Sequence, residues 1–572
     1  MNTVGELLAA ACVRHRHRVA IAQGALELTY GALLDRSTRF ARSLHALGVA
    51  PNERVAAFMT DGLESVEVFV GCALAGVTLV PVNARFLAGE ATHVVHDSQA
   101  TVLVYTTTLG AIAAQIDGLD QLRAVVAIGT GDRVAGAHAY ESLLSEARGS
   151  ADLELTGLRA VGLGAVSPED IAVIGYTSGT TGFPKGARCS HRAVTTCTRL
   201  VPYVQGMVTN GAGTFIGSFS FVSALWGILY PHLWTGATLR LADPADPDSW
   251  IEHMARDGCT YTWVPSPLVR YFRDEMARRP EILTRLNTVV HTGSKVPREF
   301  LVSLVDVVGP RLVETWGLTE SVGPLSATTR ADFAASATAG DVFASVGRAV
   351  PTAQLALLGG DGTVRRAGAG ELLARADTMF SGYLGGADDD PEAWVDGWFR
   401  TGDVGHIDDE GYVYIEDRSK DVIVSGGMNV YPAEVEMALA TLPGVVECAV
   451  FAVSDDRWGE TVAAAVVVTP DSGLGDGAIV DHVRSRLASY KKPTRVFFLD
   501  ALPRNASMKV QKRALRDRFD RPGETSTAGG ASQTSTAGGA SQTSTAGGAS
   551  QTSTAGGASQ TGTAQDVSSA NR

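Results

Sequence analysis

Apolar positions along the chain recur with two periods. Between Tyr30 and Leu47 they fall at Leu33, Leu34, Phe40, Leu44 and Leu47, roughly one helical stripe, with Gly48 following as a stop. Arg54–Met59 then predicts a strand, Ser65–Ala75 a helix and Val77–Val82 a strand. Such alternation predicts βαβ units, hence a largely parallel sheet covered by helices. Val68–Val82, the longest apolar stretch, is too short to span a bilayer comfortably and contains Gly71 and Gly76. It reads as a buried helix followed by a strand. Ile171–Tyr176 is a further short apolar run, read as a buried strand, and the βα alternation resumes beyond it. Tyr261–Pro267 predicts a strand entering a turn. Val445–Val453 and Thr461–Thr469 predict strands and Ala478–Tyr490 a helix, within a compact α+β unit from Arg418 to about Arg521.

Composition narrows the class. At 572 residues and 45% hydrophobic, the chain has material for more than one domain. A net charge of −13 argues against a general nucleic-acid binder, but not against an anionic ligand held by one local loop. The six cysteines are scattered without a CxxC pair and read as reduced thiols. His93 with His96, and the basic run Arg14–Arg18, lack carboxylate or cysteine company at ligand spacing and read as solvated helix faces. The first residues show no leader pattern, which leads to the expectation of a soluble, cytoplasmic protein. From Gly523 the composition changes: TSTAGGASQ repeats four times from Thr525 to Gln560. Without aromatics such a segment cannot bury enough surface to offset its ordering entropy, so a disordered extension is expected.

Chemistry concentrates after the Ile171–Tyr176 run, in TSGTTGFPKG. Gly179, Gly182 and Gly186 permit close backbone approach to a ligand. Backbone N–H groups and the hydroxyls of Thr177, Ser178, Thr180 and Thr181 can surround a phosphate, and Lys185 adds a mobile cation for the outer phosphates. It is not a Walker loop, which would need Ser or Thr after the lysine where Gly186 stands.

TSGTTGFPKG resembles the phosphate-binding signature of the acyl-adenylating superfamily of acyl-CoA synthetases, peptide-synthetase adenylation domains and beetle luciferases. The resemblance covers roughly residues 15–520. ETWGLTE (Glu314, Thr315, Trp316, Gly317, Thr319, Glu320) resembles its aromatic-G-x-T-E motif. The match implies Trp316 on the adenine face, Thr319 on the α-phosphate and Glu320 toward Mg²⁺. Asp403, in DGWFRTGD, is implied as the ribose acceptor and Arg418 as a ribose and phosphate contact. Lys509, in LPRNASMKVQKRAL, matches the mobile catalytic lysine, with Met508 where relatives usually carry Gly; nearby Lys512 reads as a solvated lysine. Lys420 occupies the hinge position, and Gly426 and Gly427 would line the passage of the thiol arm. Phe221 falls where many members carry a histidine. It cannot polarise a carboxylate, so it either shapes the acid pocket with Ser223, Gly293, Ser294 and Gly323, or is a core aromatic.

The resemblance implies an α/β protein. Its large N-terminal domain (1–416) would hold parallel-type sheets, helices and a β-rich subdomain. A small mobile α+β domain (417–522) would turn on a hinge at 417–421, and the repeat tail (523–572) would follow. It implies that a carboxylic acid and Mg·ATP give acyl-AMP, which a thiol then attacks. CoA is the expected thiol, since no carrier or condensation domain accompanies the motifs and the span Gly347–Asp403 is uninterrupted. Loading of an acyl carrier protein and a catalytically silent nucleotide-binding regulator are the alternatives; the acid and the oligomeric state, a homodimer included, stay open.

Overall fold

The computed structural model describes residues 2–147, 165–177, 184–293, 296–334, 341–385, 393–418, 421–425, 428–455, 457–505 and 508–520. Residues Met1–Pro522 form one compact unit; the repeat tail from Gly523 and the reading of it as disordered lie outside the described residues, as do Ser178–Gly182, Ser294, Lys420, Gly426 and Gly427.

Among the described residues the strands form four sheets. The first carries Arg54–Phe58, Thr78–Val82, Val102–Thr106 and Ala124–Ile128 in parallel, and Ile171–Thr177 joins it parallel to Thr78–Val82. Lys185–Ser190 closes that edge, antiparallel to Ile171–Thr177. The second runs parallel through Ala212–Phe215, Tyr261–Val264, Thr288–Thr292 and Leu312–Leu318, then turns antiparallel into Gly323–Ala327. This is the parallel architecture expected from the alternation. A six-stranded antiparallel sheet built on Gly368–Ala376 and Trp398–Ile407 is the β-rich part, and Val445–Asp455 with Gly459–Val468 heads a five-stranded sheet near the C-terminus.

Local sequence accounts for the element ends. The helix Tyr30–Ala46 starts where Thr29 accepts from the Ala32 N–H, and Gly48, at φ +78°, follows its end. Leu63–Ala75 ends at Gly76, φ +68°. One element is shorter than its pattern. The helix expected over Ala478–Tyr490 stops at Arg484 after burying Ile479 and Val483. Ala488 then turns extended, and a short 3₁₀ turn, Ser489–Lys491, leads into the strand Arg495–Phe498. The chain must leave the helix there to reach its parallel partner Gly459–Val468.

No helix among the described residues is long and apolar enough to cross a membrane. Val68–Val82 is, as read, part of a buried helix and the strand after it.

Candidate active site

Three chain segments meet at the carboxyl ends of the parallel strands, where open α/β sheets place their ligands. The strands flanking the expected phosphate loop are the first. Thr177 and Lys185 face one another across the antiparallel pair, and Thr177 Oγ1 donates to the Lys185 carbonyl at 3.5 Å. The two strands that flank the loop are therefore antiparallel neighbours. His93 sits against the loop's base, its Nε2 3.0 Å from the Pro184 carbonyl oxygen, and Tyr176 donates to Asp97 at 2.7 Å. The helix Ala88–Asp97 thus packs against Tyr176 and Pro184, and His93 is not the solvated position its surroundings in sequence suggested.

The second segment is the turn joining Leu312–Leu318 to Gly323–Ala327. Thr319 and Glu320 stand at its tip. The Ser321 hydroxyl ties it shut, accepting from the Leu318 N–H at 2.9 Å and lying 2.7 Å from the Gly323 carbonyl oxygen. Val322 is fully buried at φ +45°, a region costly for a β-branched residue and typical of turns held by their surroundings for a purpose. Gly317 has no room for a side chain, since a Cβ would lie 2.2 Å from the Gly323 carbonyl oxygen. A Cβ on Gly175, in the strand feeding the phosphate loop, would lie 3.0 Å from Thr319 Cγ2 and 2.8 Å from Val222 Cγ2. That glycine lets the Thr319–Glu320 turn rest on the base of the phosphate loop.

The third segment is the strand pair Trp398–Ile407 and Val413–Arg418, where Asp403 and Arg418 are cross-strand partners. Asp403 is buried. Its Oδ1 pairs with Arg418 Nε at 2.6 Å and its Oδ2 accepts from Trp316 Nε1 at 2.9 Å. Burial pushes its carboxyl above the ordinary value, against the pull of Arg418, the Trp316 indole and the charge of Lys509. Lys509 is exposed at the end of a turn in which Asn505 accepts from its N–H at 2.9 Å.

Beneath these segments runs a polar chain built on Glu314 of the ETWGLTE motif, whose pairing the sequence pattern did not show. His291 Nδ1 lies 2.7 Å from Glu314 Oε2, and its Nε2 lies 2.8 Å from Ser266 Oγ. His291 and Glu314 are register partners in adjacent parallel strands, which is the only signal that could have paired them. Glu314 Oε1 is buried with no hydrogen-bonding partner. A buried acceptor of this kind fits a ligand that brings a donor, such as the amino group of a nucleobase.

The remaining expected positions are distributed as follows. Thr315 is buried, its carbonyl accepting from Thr292 Oγ1 at 2.8 Å. Trp316 packs with Leu325, Leu355 and Leu372 and keeps 9% of its surface exposed. Phe221 is half-buried at the start of a short turn, Ser223 is exposed, and Gly293, at φ +102°, faces open space. Gly323 faces the buried Cys197, whose Sγ would lie 2.4 Å from a Cβ there. Lys512 departs from its reading as a solvated lysine. It is largely enclosed and pairs with Glu436 at 2.8 Å, because its helix lays it against the Pro432–Ala440 helix. Burial disfavours its charge, but Glu436, Asp417 and Asp421 outweigh that and hold its ammonium protonated.

Comparison with known proteins places the chain as follows. The long-chain-fatty-acid–CoA ligase FadD13 of Mycobacterium tuberculosis is 33% identical over 497 residues, 86% of this chain and 93% of that protein. The feruloyl-CoA synthase of an Amycolatopsis species is 33% identical over 88% of this chain and 96% of its own length. The fatty acid–[acyl-carrier-protein] ligase ScoC of Streptomyces coeruleorubidus is 31% identical over 86% and 92%. Among solved structures, a Mycobacterium tuberculosis fatty acyl CoA synthetase superposes with a TM-score of 0.67 at 29% identity, covering 91% of this chain and 99% of that one. The AMP-binding enzyme profile matches residues 8–384 and the AMP-binding enzyme C-terminal domain profile residues 434–509, so the chain belongs to the AMP-binding enzyme family in both its large and its C-terminal parts.

Proposed function

We propose that the chain is an AMP-forming acid–thiol ligase that converts a carboxylic acid to its acyl-adenylate with ATP and then to its CoA thioester. The observation that carries this reading is the buried Asp403 carboxylate held by Arg418 at 2.6 Å and by the Trp316 indole at 2.9 Å, three positions expected to hold the nucleoside. The acid's carboxylate oxygen attacks the α-phosphorus, a P–O bond forms and the bond to pyrophosphate breaks. No covalent bond to the protein is needed, so positioning and charge stabilisation do the work. Asp403 accepts from the ribose hydroxyls. Thr177 through Lys185 hold the β- and γ-phosphates, and Thr319 donates to the α-phosphate. Lys509 stabilises the charge that builds between the carboxylate and the α-phosphate.

Glu320 fits a magnesium ion as one hard carboxylate at the site. Among the described residues no group of three or more His, Cys, Asp or Glu could hold a metal, so the ion would be held jointly by Glu320 and phosphate oxygens. When bound, it would neutralise charge on the departing pyrophosphate.

In the second half-reaction the thiol attacks the acyl carbon, and the carbon–oxygen bond to AMP breaks. Lys420 serves as the hinge for this step, and Gly426 and Gly427 let the thiol arm pass. Phe221, Ser223, Gly293 and Ser294 line the acid side. The chain from 417 to 522 is the moving part.

Pyrophosphate release over a panel of carboxylic acids, with and without CoA, followed by product mass spectrometry, tests the reading. Acid-dependent pyrophosphate together with an acyl-CoA mass is the expected result. The 31% identity to a carrier-protein ligase supports a second reading, in which CoA is ignored and acyl-AMP accumulates until a carrier protein is added. Absence of pyrophosphate with every acid would overturn both.

A further inference from the structure

Glu320 and Lys185 carry opposite charges at one site, yet they do not pair with each other. Tyr383 stands between them. Its hydroxyl donates to Glu320 Oε1 at 2.5 Å, and the Lys185 ammonium lies 5.5 Å from the centroid of its ring. The first contact is a charge-assisted hydrogen bond and the second a cation–π contact. We infer that Tyr383 is a positioning residue of the nucleotide site, holding the Glu320 carboxylate toward the metal and the Lys185 ammonium toward the outer phosphates.

The backbone argues for the same role independently. Tyr383 lies on a segment pinned on both sides. Leu384 N–H donates to the Gly186 carbonyl at 2.8 Å, Arg188 N–H to that of Gly382 at 2.9 Å, and Ser381 N–H to that of Arg188 at 2.7 Å. These stitch the segment to the strand that begins at Lys185. Phe380 N–H donates to the Glu320 carbonyl at 2.8 Å, which stitches it to the metal-facing turn. A Cβ on Gly186 would lie 2.7 Å from Leu384 Cδ1, so the Leu384 side chain packs directly on the glycine backbone. Phe380 supports the Tyr383 ring edge-on, centroid to centroid 4.9 Å. The tyrosine therefore has little freedom to be elsewhere.

The consequence is chemical. Without an intervening group the lysine and the carboxylate would neutralise one another, and ligand would have to break that pair before binding. With the ring between them each charge has a partner that leaves its other face open. Glu320 keeps Oε2 for the ion, and Lys185 keeps its N–H donors for phosphate. Removing an outer partner of a metal-binding carboxylate typically costs tenfold or more in metal affinity.

This inference rests on the assignment of Glu320 to the metal, and the test separates the two. The apparent Mg²⁺ affinity is read, without turnover, from thermal stabilisation of the full chain during Mg²⁺ titration in saturating α,β-methylene-ATP. Tyr383→Phe keeps the ring and loses the hydroxyl. It is expected to raise the Mg²⁺ midpoint about tenfold, with only a small drop in the unliganded melting temperature and no change in metal-free nucleotide binding. Tyr383→Ala is expected also to weaken metal-free nucleotide binding, because Lys185 is then free to fall onto Glu320. Glu320→Gln is the control. If it shifts the midpoint and Tyr383→Phe does not, the role of Tyr383 is overturned and the metal assignment stands. If neither shifts it, the metal assignment itself fails. Should Tyr383→Ala not fold, the phenylalanine variant decides alone.

Discussion

The indole N–H of Trp316 donates to Asp403 Oδ2 at 2.9 Å, while Arg418 holds the other carboxylate oxygen at 2.6 Å. The aromatic residue expected over the base thus also orients the acceptor expected under the ribose. A hydrogen bond to a charged group contributes about 1.5–3 kcal/mol. Trp316→Phe retains an aromatic plane and removes the donor. It should raise the KM for ATP roughly tenfold, with a smaller change in kcat, because the lost contact exists before and during the reaction alike. An unchanged KM would mean that Arg418 alone suffices to fix Asp403.

Lys509 is predicted to act in the first half-reaction only. Lys509→Ala should abolish acid-dependent pyrophosphate release and leave thioester formation from supplied acyl-adenylate within a few-fold of the parent. The two half-reactions measured separately decide it. Equal loss of both would remove its assignment as the stabiliser of the adenylating transition state. Its charge already reaches Asp403 in this arrangement of the chain, which favours the adenylating role.

How far the sequence carried this reading depended on distance along the chain. The helix Tyr30–Ala46 and the strands Arg54–Phe58 and Thr78–Val82 fall within a residue of the periodic pattern, because apolar period and capping residue are both local. Asp403, Trp316 and Lys509 were nameable as candidates because each sits in a short dense motif. Tyr383 was not, since its bond to Glu320 spans 63 positions and arises from how two segments are stitched to the same strand. The His291–Glu314 pair depends on strand register, which no single strand's pattern contains. Lys512 reads as an ordinary surface lysine until the helix that faces it, with Glu436 on it, is in place.

That last pair gives a stability prediction. Lys512 and Glu436 are each largely shielded, with side-chain exposures of 18% and 25%. Removing one member of such a pair strands the other, and a cost of about 2–3 kcal/mol is expected, below the 3–5 of a fully buried pair. Lys512→Met should lower the denaturant midpoint accordingly. Adding Glu436→Gln should recover part of the loss, because the amide still accepts from the Val450 N–H that Glu436 Oε1 serves at 2.7 Å. A double variant no more stable than the single one would show that the packing of the Lys512 stem, and not its charge, holds the helices together.

Asp61 gives the pH prediction. Its Oδ1 accepts from the Phe219 N–H at 2.9 Å, which fixes the chain two residues before Phe221, a position expected at the acid pocket. Burial pushes its carboxyl from 3.8 up to about 6, partly offset by the Phe219 N–H, the Ser218 hydroxyl and the charge of Arg85. The folded chain therefore holds this proton more tightly than the unfolded one. The stabilising contribution is complete below about pH 4 and is lost as pH rises through about 6. Each tenfold difference in proton affinity is worth about 1.4 kcal/mol, so the ionised group costs roughly 3 kcal/mol at neutral pH. Asp61→Asn keeps an acceptor for Phe219 and cannot ionise. It should exceed the parent in stability at pH 7.5 by about 1–3 kcal/mol and by much less, about 1 kcal/mol or under, near pH 4.5, as read by denaturant unfolding at both values. Because the variant preserves the hydrogen bond that sets Phe219, the acid specificity should stay as it was. Parallel pH profiles for parent and variant would show that Asp61 is ionised at no net cost, with Arg85 supplying the compensation.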